Sequence, residues 1–309
     1  MSRLTHAISG PYAPPVATRE LTAVSADGSR VHVEVHGPEG APAVLLTHGW
    51  TCSTAFWAAQ IRALALDHRV IAYDQRGHGR SAAPSEADGY STEALADDLQ
   101  AVLAATLAPG EKAVLVGHSM GGMTIMAAGG REAVRERTAA VLLCSTGSSA
   151  LVAEATVVPL LRAGRVRTRI TRSVLGSRAP LGPVTPMARR ILKYATMGPG
   201  AAPDKVDACA RIVHACPRIV RHGWSGVLEA LQLDVAVGEL QAPTAVVAGT
   251  ADRLTPVVHA RRIAAALPHC VGLTELAGVG HMTPIEAPDA VTARITELVA
   301  TYVQVKEGA

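Results

Sequence analysis

The sequence predicts an α/β fold, a mostly parallel sheet with helices on both faces, interrupted by a helical insertion. Three observations predict it. Short β-branched runs alternate with Ala- and Leu-rich stretches at helical spacing, as in chains of β-α-β units. From the third run onward most strands are continuously apolar, the mark of strands covered on both faces. The alternation then stops for roughly 85 residues, between about Ser148 and Asp234, in a stretch with no convincing strand.

A hairpin comes first: residues 21–26 and 31–36 read as strands joined by the turn signal Ala26-Asp27-Gly28-Ser29. Six further strands are expected at 43–47, 70–73, 113–116, 139–143, 244–248 and 271–275, making an eight-stranded sheet. Helical patterns occupy 55–66, 91–106, 120–135, 256–266 and 287–301. The core is expected in two pieces, 1–147 and 235–309, around an insertion at 148–234 that is Arg- and Pro-rich and helical in places.

Composition narrows the function classes. Of 309 residues, 49% are hydrophobic and 18% charged, which excludes a disordered chain. A net charge of +3 and an aromatic content of 3% argue against a nucleic-acid-binding surface. The five cysteines are scattered and odd in number, with no CxxC, so neither a disulfide framework nor a zinc site is expected. The first twenty residues hold no apolar run of signal-peptide length. Uncharged stretches at 40–61 and 113–130 are broken by Gly, His and Ser, so they read as strand, turn and helix rather than membrane spans. The expectation is a soluble, cytoplasmic protein.

The strongest chemical signal is Gly117-His118-Ser119-Met120-Gly121, between an apolar strand and a helical pattern. Small residues around a serine let the chain turn sharply and hold the hydroxyl above the carboxyl edge of the sheet. A serine hydroxyl is a poor nucleophile without a base. Asp252 follows the strand at 244–248, and His281 lies in the Gly-rich loop after the last strand. All three fall beyond strand C-termini, where ligands bind in open α/β sheets.

Four segments together resemble the α/β-hydrolase superfamily: Thr47-His48-Gly49-Trp50; Tyr73-Asp74-Gln75-Arg76-Gly77-His78-Gly79-Arg80-Ser81; the Ser119 segment; and Gly280-His281 followed by Glu286-Ala287-Pro288. The second is similar to a segment of the esterase, haloperoxidase and epoxide-hydrolase branch. The resemblance implies an α/β-hydrolase fold with Ser119 as nucleophile, His281 as general base and acid, and Asp252 as the group that orients His281. It implies an oxyanion hole from the backbone N–H groups of Trp50 and Met120, a cap formed by the insertion, and no cofactor or metal. Relatives that open epoxides or cleave carbon–halogen bonds carry Asp at the elbow, so Ser119 points to acyl transfer on an ester, lactone or thioester. The alternatives on the same triad are a cofactor-free haloperoxidase or perhydrolase and a C–C bond hydrolase. From a different class comes a non-catalytic small-molecule binding protein. The scarcity of aromatics suits an aliphatic pocket.

Several residues have plainer readings. Asp74 and Arg76 are expected to pin their loop through hydrogen bonds, and His48, His78 and His118 to be packed histidines. Cys52 is expected to be a buried neutral thiol. His32 and His36 share a strand face, but a metal needs a third ligand. Cys209, His214 and Cys216 match no zinc spacing. Trp224 could stack on substrate or anchor the insertion. Residues 151–234 carry 13 basic and 5 acidic side chains, a net +8, which leaves 16 and 21, a net −5, elsewhere. Arg162, Arg165, Arg169 and Arg172 line one side of a helix, either as a solvated face or as a surface for an anionic lipid or phosphate-bearing carrier.

Overall fold

The computed structural model describes residues 3–158 and 164–303. Arg162, part of the stripe read from the sequence, lies outside them. Eight strands form one sheet: β1 (Arg19–Val24), β2 (Arg30–His36), β3 (Ala43–Thr47), β4 (Arg69–Tyr73), β5 (Ala113–His118), β6 (Thr138–Cys144), β7 (Thr244–Gly249) and β8 (Cys270–Leu276). Their spatial order is β1-β2-β4-β3-β5-β6-β7-β8. Only β2 runs antiparallel to its neighbours, β1 and β4; every other pairing is parallel.

Alternation along each strand divides the core into two layers. On β3, Ala43 and Leu45 face one cluster while Val44 and Leu46 face the other. The first layer holds helices α2 (Thr92–Thr106), α3 (Met120–Ala128) and α8 (Val257–Ala266). The second holds α1 (Ala58–Leu64) and α9 (Pro288–Tyr302). Ser91 caps α2 by accepting the Ala94 N–H at 3.1 Å, so that helix starts where its apolar spacing does.

Three expectations shift. The helix read at 120–135 breaks at Gly129-Gly130, where two weak helix formers meet, and resumes as Glu132–Arg135. The one read at 55–66 opens as a 3-10 turn, Thr54–Trp57, before α1. The last strand, β8, is an edge strand and mostly half-buried or exposed, so its side chains are not covered on both faces.

Between β6 and β7 the chain forms α4 (Arg165–Leu175), α5 (Pro186–Thr196), α6 (Pro203–Ala215) and α7 (Arg218–Glu229), flanked by the short helices Leu151–Glu154 and Asp234–Glu239. The two ends of this insertion are joined at its neck. Asp234 accepts hydrogen bonds from the hydroxyls of Ser148 and Ser149, and Ser149 bridges Gln232. Those partners hold the Asp234 carboxyl below its usual range. Trp224 is fully buried, donates from Nε1 to the Arg76 carbonyl at 3.1 Å and meets Tyr90 edge-on. It ties the insertion to the core. No helix among the described residues is long and apolar enough to cross a membrane.

Candidate active site

Ser119 sits at φ 52° and ψ −117°, a conformation L side chains rarely adopt, between the end of β5 and the start of α3. The glycines around it make the turn fit. A Cβ on Gly121 would run into the Thr47 carbonyl, and one on Gly117 would meet the backbone of Gly121. The turn is held by the Ser119 N–H on the Cys144 carbonyl (2.9 Å) and by the Thr146 hydroxyl on the Ser119 carbonyl (2.7 Å).

Asp252 and His281 lie against each other. His281 Nδ1 lies 2.8 Å from Asp252 Oδ2, and both residues are buried. The other carboxylate oxygen accepts the N–H groups of Leu254 (2.8 Å) and Thr255 (2.9 Å). The Thr255 hydroxyl stands 2.9 Å from Asp252 Oδ2, 3.0 Å from the Ser145 carbonyl and 3.1 Å from His281 Nδ1. Among the described residues the side-chain hydrogen bonds of His281 fall on Nδ1, and its ring lies 4.9 Å from that of His118, leaving Nε2 as the nitrogen available to a reacting group. Among the described residues no hydrogen bond joins Ser119 Oγ to His281. Ser119 itself keeps 9% exposure.

The backbone N–H groups of Trp50 and Met120 find no hydrogen-bond partner among the described residues. Met120 opens α3, where the first N–H groups lack partners within the helix. The Trp50 loop is fixed from the 74–81 segment: His48 Nε2 accepts the Gln75 N–H at 3.0 Å, and His78 Nε2 accepts that of Thr51 at 3.2 Å. Gly49 lies against the His118 ring and Ser119 Cβ, with no room for a side chain. Burial pushes His48 down to about 3, with His78 adding to the effect, and His78 itself down to about 4. Both are neutral acceptors. Asp74 holds the N–H groups of Thr54 and Arg80, and Arg76 makes a buried ion pair with Asp98. Cys52 is buried, and burial raises its thiol well above the usual range.

Three residues hold the site in roles the sequence does not specify, although Glu286 stands in a segment that carries the resemblance and His118 is expected to be packed. His118 stacks on Phe56 with ring centroids 4.5 Å apart and donates from Nε2 to the His281 carbonyl at 2.9 Å. Glu286 accepts the N–H groups of Gly280 (3.1 Å) and Gly198 (2.7 Å), joining the His281 loop to the end of α5. Thr196, the last residue of α5, accepts the His281 N–H at 2.8 Å. Trp50 Nε1 likewise donates to the Arg221 carbonyl at 3.1 Å, so the insertion touches the site on two sides.

Glu34 lies buried between His32 and His36, each 3.5 Å away, with Glu20 close by. Carboxylates therefore do reach the histidine pair, but Arg80 ion-pairs with both Glu20 and Glu34 and already supplies the cation. Burial alone would raise the Glu34 carboxyl; the two imidazoles and Arg80 hold it well below its usual range. In the insertion, Cys209 is buried on α6 and His214 bonds the Gly182 carbonyl at 3.0 Å. A cavity of about 610 Å³ beside Ala43, Arg69 and Lys112 opens at the N-terminal edge of the parallel strands, opposite Ser119.

A serine on a strained elbow beside an aspartate–histidine pair, on an eight-stranded α/β sheet, defines a hydrolase scaffold. The model of the Alpha/beta hydrolase family matches residues 44–294, and the chain belongs to that family. A putative carbamate hydrolase, RutD, of Variovorax paradoxus is 34% identical over 242 residues, 76% of this chain and 83% of that protein. Epoxide hydrolase A of Mycobacterium tuberculosis is 27% identical over 89% of this chain and 95% of its own length. Other relatives match only in part: Epoxide hydrolase 4 of Mus musculus aligns over 36% of this chain and 30% of its own length. The esterase RhEst1 of a Rhodococcus species shares the fold with a TM-score of 0.74 at 23% identity, covering 92% of this chain and 99% of that one. A bromoperoxidase of Bacillus anthracis does so at 0.73 and 19% identity, covering 91% and 100%.

Proposed function

We propose that this hydrolase is a serine enzyme that cleaves a carboxylic ester, lactone or thioester of a small, largely apolar substrate through an acyl-enzyme. The observation that carries the reading is the pairing of a strained, partly accessible Ser119 with an Asp252–His281 dyad at the same sheet edge. His281 Nε2 takes the Ser119 proton as Oγ bonds to the acyl carbon, and the carbonyl π electrons move onto oxygen. The N–H groups of Trp50 and Met120 stabilise that oxyanion, each worth roughly 3–4 kcal/mol in the transition state. As the tetrahedral intermediate collapses, the bond to the leaving group breaks and His281 returns the proton to it. Water, deprotonated by His281, then cleaves the acyl-enzyme, and Ser119 regains its proton.

The insertion acts as a cap, through the contacts of Thr196 with His281 and of Arg221 with Trp50. The relative from Variovorax paradoxus supports adding carbamates to the substrates tested, because they present the same acyl carbon. The five free cysteines suit a reducing compartment, and we place the protein in the cytoplasm.

A fluorophosphonate probe tests the nucleophile directly, since it labels only an activated serine. The wild-type protein should be labelled and Ser119→Ala should not. Hydrolysis of p-nitrophenyl esters of increasing chain length, and of a matching carbamate, should fall roughly 10⁴-fold or more in Ser119→Ala at unchanged Tm. Most of the activity surviving in Ser119→Ala would overturn the assignment. An unlabelled, inactive wild type would favour a binding protein.

A further inference from the structure

Eight of the thirteen large apolar side chains exposed among the described residues belong to the insertion, which is less than a third of the chain. On α4 they form a pattern. Val166, Ile170 and Val174 are 67%, 39% and 58% exposed and recur every four residues, so they lie within about 80° of one another. Arg165, Arg169 and Arg172 form an exposed band beside that stripe. Thr171, on the side facing the protein, is fully buried. On α5, Met187 and Ile191 are exposed one turn apart, with exposed Arg190 beside them. Water is a poor neighbour for such stripes, and their arginines are largely uncommitted. Arg172 pairs with Glu229 at 2.6 Å, whereas Arg165, Arg169 and Arg190 have no ion-pair partner among the described residues.

We propose that α4 and α5 dock the protein peripherally on an anionic phospholipid surface. The apolar stripe enters the headgroup layer, and the arginines reach lipid phosphates, which their planar guanidinium groups bind in pairs of hydrogen bonds. Charge decides the occupant. The insertion carries +8 and the remainder −5, so an anionic surface attracts one side of the molecule and repels the other, fixing its orientation. A second copy meeting this face would bring two strongly basic surfaces together. A soluble phosphate would satisfy the arginines and leave the apolar stripe in water. The inference is independent of the chemistry at Ser119.

Vesicle sedimentation of the full-length Ser119→Ala protein tests it, so that turnover plays no part. Phosphatidylcholine vesicles are compared with and without phosphatidylglycerol, at low and at physiological salt. Binding should require phosphatidylglycerol and weaken as salt rises. The double variant Arg165→Gln/Arg169→Gln should bind roughly 30-fold more weakly, the factor expected for two basic groups at an anionic leaflet. Ile170→Ser/Val174→Ser should weaken binding at both salt levels, and Ile191→Ser on α5 supplies a second apolar variant if that protein melts early. Equal binding to both vesicle types, no binding to either, or unchanged binding by the arginine variant overturns the proposal. So does a mass in free solution that rises with concentration and returns to monomer in Ile170→Ser/Val174→Ser, since a second copy would then cover the face.

Discussion

The Thr255 hydroxyl touches Asp252, His281 and the Ser145 carbonyl at once, all within 3.1 Å. It has one proton to give, so it steadies the carboxylate and the imidazole in one arrangement. Thr255→Val keeps the shape and removes the hydroxyl, leaving a buried carbonyl unpaired. The lost hydrogen bonding is worth about 1–2 kcal/mol, so kcat should fall roughly tenfold with KM little changed. Thr255→Ser should restore most of it. A serine variant as slow as the valine one would show that the hydroxyl is not the cause. Asp252→Asn should cost more, roughly 10⁴-fold in kcat, because the imidazole is then held in the wrong tautomer. A loss confined to KM would instead place Asp252 against the substrate. Cys144-Ser145, at the end of β6, offers no carboxylate that could replace it.

Loops that meet across the sheet edge depend on close backbone approach. Gly280 packs against Met197 and Gly198, with no space for a Cβ, and Glu286 satisfies both glycine N–H groups of that contact. Burial raises the Glu286 carboxyl, while those N–H groups pull it back down. Glu286→Ala would strand two N–H groups, at about 1–3 kcal/mol for each that stays buried. Its Tm should fall by several degrees and its kcat with it, because His281 is carried on the same loop. Glu286→Gln, which keeps one acceptor oxygen, should lie between. Thermal melts and steady-state kinetics on the pair check this; an unchanged Tm in Glu286→Ala would mean that the loop is held by other contacts.

Acid stability belongs to the whole molecule. Burial holds His48, His78 and His118 neutral far below the usual histidine value of 6.5. As pH falls below 6.5 the unfolded chain takes up protons at these imidazoles and the folded one does not. Stability therefore falls on acidification, by up to about 1.4 kcal/mol per pH unit for each group, until that group's folded value is reached, about 3 for His48 and about 4 for His78. Denaturant midpoints measured between pH 7 and 5 should decline steadily. In His78→Gln, which can still accept the Thr51 N–H, the slope should lessen by one proton. An identical slope would show that His78 already takes a proton when folded.

Local pattern was enough for much of this. The apolar strands, the glycine-flanked Ser119 between strand and helix, and the positions of Asp252 and His281 past strand ends are written in short stretches of chain. Each obeys a period or a steric rule that acts within a few residues. Packing between distant segments decided the rest. It placed β4 outside β3, set β2 antiparallel to β4, and joined Ser148 and Ser149 to Asp234 at the neck of the insertion. It made Trp224 an anchor on Arg76, 148 residues away. It also gave Thr255, Glu286 and His118 their partners. A lone polar residue on a loop has no periodicity to read, and its partner is set by whichever buried N–H, carbonyl or imidazole the folded backbone brings within about 3 Å.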